Sequence, residues 1–215
     1  MHKTVSLLTF ICLLLVTVEA FSQSQDLPKF EIGAEFTTLN REGFTERRTD
    51  VGLGARFTYN VNKNLSVEGA GYFFPHRCFT CVNNGRVTQG VAGIKIGKRF
   101  ERWGIFAKAR PGVVSFSEGQ FNITPSGTGG VFPFAFEVKR LTNFAMDLGG
   151  VIEFYPSKRI VTRIDAGNTL VHFTRRTNND LRFDPTIGDV VLVPITRPAK
   201  TTHNFQFITS VGFRF

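Results

Sequence analysis

The sequence predicts an all-β fold, an eight-stranded antiparallel transmembrane β-barrel. Three observations carry this. From about residue 28 onward, apolar and polar residues alternate with a period of two, the mark of a strand whose two faces meet different surroundings. The connections between these stretches alternate between short and long. No stretch after residue 20 is long and apolar enough for a spanning helix, so a membrane form must be a closed barrel, in which every backbone group finds a partner.

The chain has 215 residues, room for one domain. Its 26 Lys+Arg exceed its 17 Asp+Glu, a balance that suits nucleic acid or an anionic membrane surface. The bases are spread over strands and connections and do not gather on one face, which argues against nucleic acid. Phe (24) and Gly (21) dominate, and no helical heptads compete with the strand pattern.

Residues 1–20 read as a secretory signal peptide. Lys3 supplies the basic start, Val5–Val18 the apolar run and Val18-Glu19-Ala20 the cleavage site. That run is shorter than the ~20 residues of a spanning helix. Cys12 follows Ile11, where a lipoprotein would have a small residue. Residues 21–27 form a linker, and 28–215 the barrel domain.

The strands follow in order. Pro28–Leu39 sets Phe30, Ile32, Ala34 and Phe36 against Glu31, Gly33, Glu35 and Thr37. Asp50–Asn60 sets Val51, Leu53, Ala55, Phe57 and Tyr59 against Gly52, Gly54, Arg56 and Thr58. After the turn at Val61–Asn64, Leu65–Pro75 has Ser66, Glu68 and Ala70 on its polar side. Val87–Phe100 opposes Ala92, Ile94 and Ile96 to Gly93, Lys95, Gly97 and Arg99. Glu101-Arg102 turns into Trp103–Phe116, where Ile105, Ala107 and Ala109 oppose Lys108 and Arg110. Asn143–Tyr155 places Asp147, Gly149 and Glu153 opposite an apolar face, and Ile160–Phe173 does the same with Arg163, Asp165 and Gly167. The last strand, His203–Phe215, carries Phe205, Phe207, Val211, Phe213 and Phe215 on one face and Arg214 on the other. Phe132, Phe134, Phe136 and Val138 also alternate, and Val190–Ile195 is strand-like. Counting both gives the alternative of ten strands; otherwise they extend hairpins above the membrane.

A soluble lipocalin-like barrel would also alternate, with its apolar face inward. The polar face here holds glycines and long charged side chains, which suits a narrow lumen. Strands of about 10–13 residues suffice to cross a bilayer when tilted. Aromatics gather at strand ends: Phe30, Tyr59, Phe100, Trp103, Phe154 and Phe215 at one rim, Phe73, Phe116, Phe144, Phe173 and Phe205 at the other. The predicted lumen then holds Glu31, Glu35, Glu68, Asp147, Glu153 and Asp165 with Arg56, Lys95, Arg99, Lys108, Arg110, Arg163 and Arg214. Buried charges persist when paired, and the interior of an eight-stranded barrel is only wide enough for side chains to fill. The expectation is an ion-paired plug; a narrow channel for small solutes or ions is the alternative.

The ending Val211-Gly212-Phe213-Arg214-Phe215, the stretch Gly149–Phe154 leading to Pro156-Ser157, the signal peptide and the strand rhythm resemble the small OmpA-like outer-membrane barrels. The resemblance implies a bacterial outer-membrane location, lipid as partner, and Phe213 and Phe215 as part of the signal read by the barrel-insertion machinery. The peptidoglycan-binding domain of larger members does not carry over, because the sequence stops at the barrel. Such barrels have varied roles, so the fold fixes no activity.

Cys78 and Cys81 sit in a long connection, where an intramolecular disulfide is the simplest reading after export; free thiols and a metal or redox role are the alternatives. Arg175, Arg176, Arg182, Arg197 and Lys200 outnumber Asp180, Asp184 and Asp189 in the last long connection and could meet anionic lipid headgroups or simply be solvated. His172 and His203 lie near the same rim, but no nucleophile motif or carboxylate pair accompanies them. The expectation is a non-enzymatic structural or surface-interaction protein without cofactor or metal.

Overall fold

The computed structural model describes residues 28–41, 47–78, 84–125, 134–186 and 188–215, without the side chains of 77, 78 and 84. The signal peptide, the linker, Cys81 and the side chain of Cys78 lie outside the described residues.

Ten strands follow one another: β1 (Phe30–Arg41), β2 (Arg48–Asn60), β3 (Leu65–Cys78), β4 (Asn84–Arg99), β5 (Trp103–Pro125), β6 (Phe134–Phe154), β7 (Ile160–Phe173), β8 (Arg176–Asp184), β9 (Asp189–Arg197) and β10 (Lys200–Arg214). Eight of them close a barrel in the order β1-β10-β7-β6-β5-β4-β3-β2, and β8 with β9 forms a separate two-stranded sheet. The ring closes by antiparallel pairing of β1 with β10, Glu31 opposite Arg214 and Phe36 opposite Thr209. Phe30 and Phe215 each donate their N–H to the other's carbonyl at 2.9 Å. Closure leaves no edge in the ring for other chains to pair with.

Local chemistry fixes the short turns. Asn62 Oδ1 accepts from the N–H groups of Asn64 and Leu65, both at 2.8 Å, a side-chain mimic of a backbone turn. Ser157 Oγ does the same for Arg159 (3.3 Å) and Ile160 (3.1 Å). The Phe100 N–H donates to the Trp103 carbonyl at 2.8 Å, closing the Glu101-Arg102 hairpin.

The strands run further than the alternation predicts at the end of the long connections. β5 has 23 residues and β6 has 21. The alternating Phe134, Phe136 and Val138 belong to β6, so this hairpin rises beyond the ring. The Val190–Ile195 stretch lies in β9, outside the barrel wall.

Within the barrel the charged residues fill the half nearer the short turns. The other half is mostly apolar: Leu39, Phe74, Val87, Val91, Val114, Phe116, Ala145, Val171, Phe173 and Ile208 form one buried cluster, through which Gln206 hydrogen-bonds to Thr37, Thr169 and Gln89. The expected ion-paired plug is thus only half the filling. Two residues assigned to the second aromatic rim belong to this core. Phe116 (4 % exposed) and Phe173 (6 %) point inward, whereas Phe144 (55 %) and Phe205 (53 %) point outward. Strand parity decides: Phe116 lies opposite the inward Val87 and Leu141, and Phe173 is an even number of residues from Arg163 and Asp165. Glycines on β2 make the room. A Cβ on Gly54 would lie 2.4 Å from Tyr72 Cδ1, and one on Gly52 2.6 Å from Phe74 Cδ1.

Candidate functional site: the filled lumen and the surface hairpins

Alternation on eight strands turns the charged side chains into one enclosed volume. Glu31, Glu35, Arg56, Glu68, Lys95, Lys108, Arg110, Asp147, Glu153, Arg163, Asp165 and Arg214 are all buried there. Arg99 lies with them, its side chain 5 % exposed. Glu68 is the hub. It accepts from Arg163 (2.5 and 3.1 Å) and Arg110 (3.5 Å), and Lys95 and Arg56 stand 3.3 and 3.7 Å away. Arg163 also clasps Asp165, with Nε to Oδ1 at 2.5 Å and Nη2 to Oδ2 at 2.7 Å. Lys108 bridges Asp147 (3.0 Å) and Asp165 (3.1 Å). Arg110 donates to Asp147 and, at 3.1 Å, to the Tyr72 hydroxyl. Arg56 pairs with Glu35 at 2.9 Å and Glu31 at 3.5 Å. Lys95 pairs with Glu153.

Toward the short turns, Arg99 reaches Glu31 (3.5 Å), Glu153 (3.4 Å) and the Tyr155 hydroxyl (2.9 Å). Arg214 is different: it donates to the Ser157 carbonyl at 3.1 Å and lies 4.3 Å over the Tyr155 ring. Desolvating charges of this kind is costly, and only mutual pairing with further hydrogen bonds offsets it. Chemically the arrangement crosslinks the wall; no group in it is left exposed as an acid, base or nucleophile.

One buried pair escaped the sequence reading. Arg41 and Asp50 form an ion pair at the far mouth, above the apolar cluster, with the Arg41 guanidinium 5.9 Å from the Phe116 ring. Parity carries the signal, since Arg41 continues the inward series of Glu31 and Glu35, and Asp50 that of Arg56. Both sit where the alternation fades into a long connection.

Beyond the ring, the β5–β6 hairpin braces β8–β9. Gln120 Nε2 donates to Asn178 Oδ1 at 3.2 Å. Asn179 donates its N–H to Asn122 Oδ1 at 3.1 Å and its side-chain amide to the Ile123 carbonyl at 3.3 Å. On the outer face of the hairpin Phe121 and Phe136 stack at 5.7 Å and are exposed, as is Val138. β6 pairs with β7 only from Phe144 onward, so among the described residues no strand pairs with the second edge of its outer part.

Arg175, Arg182, Arg197 and Lys200 are exposed and Arg176 is half-buried. Arg176 stands directly opposite Arg197 in the β8–β9 ladder. Burial first, and the facing Arg197 charge second, pull the Arg176 guanidinium below its usual pKa. Asp180, Asp184 and Asp189 each accept from a backbone N–H one or two residues on, so they shape the hairpin locally. His172 bonds Thr201 at 3.1 Å, and no hydrogen bond or ion pair among the described residues joins it or His203 to these aspartates. Phe213 and Phe215 face outward and are exposed.

No protein-family model matches the chain, and no curated protein resembles it in sequence. Solved structures do match. Neisserial surface protein A is 10 % identical, with 87 % of this chain and 97 % of that one covered at a TM-score of 0.50. Ail, the attachment invasion locus protein of Yersinia pestis, solved with the heparin analogue sucrose octasulfate, is 13 % identical with 86 % and 96 % covered and a TM-score of 0.46. The N-terminal barrel domain of Pseudomonas aeruginosa OprF is 10 % identical with 89 % and 100 % covered and a TM-score of 0.43. With its closed antiparallel ring of eight strands, the chain has the fold of the small OmpA-like outer-membrane β-barrels.

Proposed function

We propose that this is a non-enzymatic barrel of the bacterial outer membrane, exported by residues 1–20, closed to solutes, that presents a rigid surface-interaction platform. The observation that carries the reading is the β5–β6 hairpin, which runs well past the closed ring and holds β8–β9 by side-chain hydrogen bonds. An unpaired strand edge with exposed Phe and Val beside it suits a protein or lipid partner. The lumen charge network serves to lock the wall, and the mostly apolar half above it excludes water. Phe213 and Phe215 belong to the insertion signal, and Cys78 with Cys81 closes its connection as a disulfide. Arg175, Arg176, Arg182, Arg197 and Lys200 face the phosphates of outer-leaflet lipid; the support is the Arg176–Arg197 apposition, a like-charge pair that an anion would relieve.

The test compares cells displaying the full chain with cells displaying a barrel whose residues 119–138 are replaced by a two-residue turn. Both should show heat-modifiable gel mobility, and only the full chain should raise adhesion to protein-coated surfaces. Equal adhesion by the two would remove the platform from the reading.

A further inference from the structure

The opposite end of the barrel carries a feature that the surface platform does not use. Every corner at the short-turn end, which is the periplasmic end in barrels of this fold, bears a cation. Lys29 precedes β1, Lys63 lies between β2 and β3, Lys98 and Arg102 flank the β4–β5 turn, and Lys158 and Arg159 lie between β6 and β7. All six are exposed. Glu101 is the only acidic side chain among the described residues of these turns. No carboxylate stands within ion-pair distance of Lys29, Lys98, Arg102, Lys158 or Arg159 among the described residues.

The height of this ring is set by its neighbours. Lys98 lies opposite Ile105 on the lipid-facing side of the wall, one step past Ile96, and both isoleucines are exposed. Its ammonium sits 5.3 Å over the Phe100 ring, which stacks on Trp103 at 4.3 Å. Aromatics of this kind mark the membrane interface, and a lysine beside them carries its charge to the headgroup level.

We infer that the periplasmic rim is a binding ring for net-anionic glycerophospholipid, recruited from the inner leaflet by the phosphate of its headgroup. The chemistry favours lipid over a soluble polyanion or the cell-wall glycan, because Lys98 continues the lipid-facing aromatic belt and the cations are spread over every corner of the wall. A zwitterionic lipid offers the same phosphate but cancels its charge, so the ring discriminates between the two. Each cation near the surface contributes roughly a fivefold preference, falling off over about 10 Å at 0.1 M salt.

The chain contains one tryptophan, and Trp103 is in the ring itself. Full-length protein in vesicles of phosphatidylcholine is titrated with either brominated phosphatidylglycerol or brominated phosphatidylcholine, and Trp103 quenching reads the lipid beside it. The expected result is a several-fold preference for the glycerol headgroup, reduced toward unity by K98Q/R102Q and by high salt, and retained by K98R. R48Q/R86Q, exposed at the opposite end, should leave it unchanged. Heat-modifiable mobility shows that each variant is folded. Equal quenching by the two lipids in the native protein, or a preference that survives K98Q/R102Q, would overturn the assignment. So would absence of lipid preference together with retention on isolated cell-wall sacculi that the same substitutions abolish.

Discussion

Glu68 accepts from or faces four cations, Arg163, Lys95, Arg56 and Arg110, more than any other lumen acid. Removing one partner of a buried pair leaves an uncompensated charge, at a cost of about 3–5 kcal/mol. We therefore expect Glu68→Gln to lower the unfolding free energy in vesicles by that amount, read by urea titration. Adding Arg163→Met should restore part of it, since the lumen then loses one charge of each sign and Asp165 keeps Lys108; a strictly additive loss in the double variant would show that the two do not act together. Membership of this network was legible, because each charge stands on the face opposite an apolar alternation. The pairings were not. The register neighbours of Lys95 are Ser66 and Lys108, yet its carboxylate partners are Glu68, diagonal to it on β3, and Glu153, on a strand with which β4 does not pair. Such contacts depend on the stagger of the closed ring, which alternation along one strand does not encode.

At the scale of elements, residue type and parity compete, and parity wins. Phe116 and Phe173 look like rim aromatics, but counting by two from Arg110 and from Arg163 puts both in the lumen, where their rings lie tilted to each other at 5.9 Å. The outer reach of β6 was visible as alternation at Phe134, Phe136 and Val138, whereas its bracing of β8–β9 depends on Asn and Gln contacts between distant segments that carry no periodic signal. Those contacts give a prediction. Asn179→Ala removes the amide donor to Ile123 O, a hydrogen bond worth about 0.5–1.5 kcal/mol. Amide exchange across β8 and β9 should accelerate by roughly two- to tenfold, the range this energy implies, while β1–β7 and β10 keep their protection. Unchanged exchange in β8–β9 would mean that the hairpin stands without its brace. A second expectation concerns the closing element: Phe215→Ala keeps the backbone bonds to Phe30 but removes an outward aromatic that packs 5.9 Å from the Phe30 ring. Insertion into vesicles assisted by the insertion machinery should slow several-fold, and unassisted folding into detergent should not; equal slowing in both would assign Phe215 to stability alone.

At the scale of the whole molecule, we propose a ring sealed twice. Below, ion pairs fill the lumen; above, Leu39, Phe74, Val87, Phe116 and their neighbours fill most of it with hydrocarbon around the hydrogen-bonded Gln206, and Arg41 with Asp50 covers that. The two seals fail differently. Deleting an ion-pair member exposes charge and invites water, but an apolar constriction dewets and blocks ions on its own. A lumen held shut only by salt bridges would conduct once one of them is removed. We expect Arg110→Ala to give no unitary currents in planar bilayers, although it breaks the contacts to Asp147, Glu68 and Tyr72. Phe74→Ala/Phe116→Ala should also stay silent, because the charged half below remains filled. Only the triple change, with a continuous wetted path through both halves, should yield reproducible steps. Currents from Arg110→Ala alone at the size of the triple variant would make the lower network the sole gate, and currents from the native protein would turn the reading from a plugged barrel to a channel.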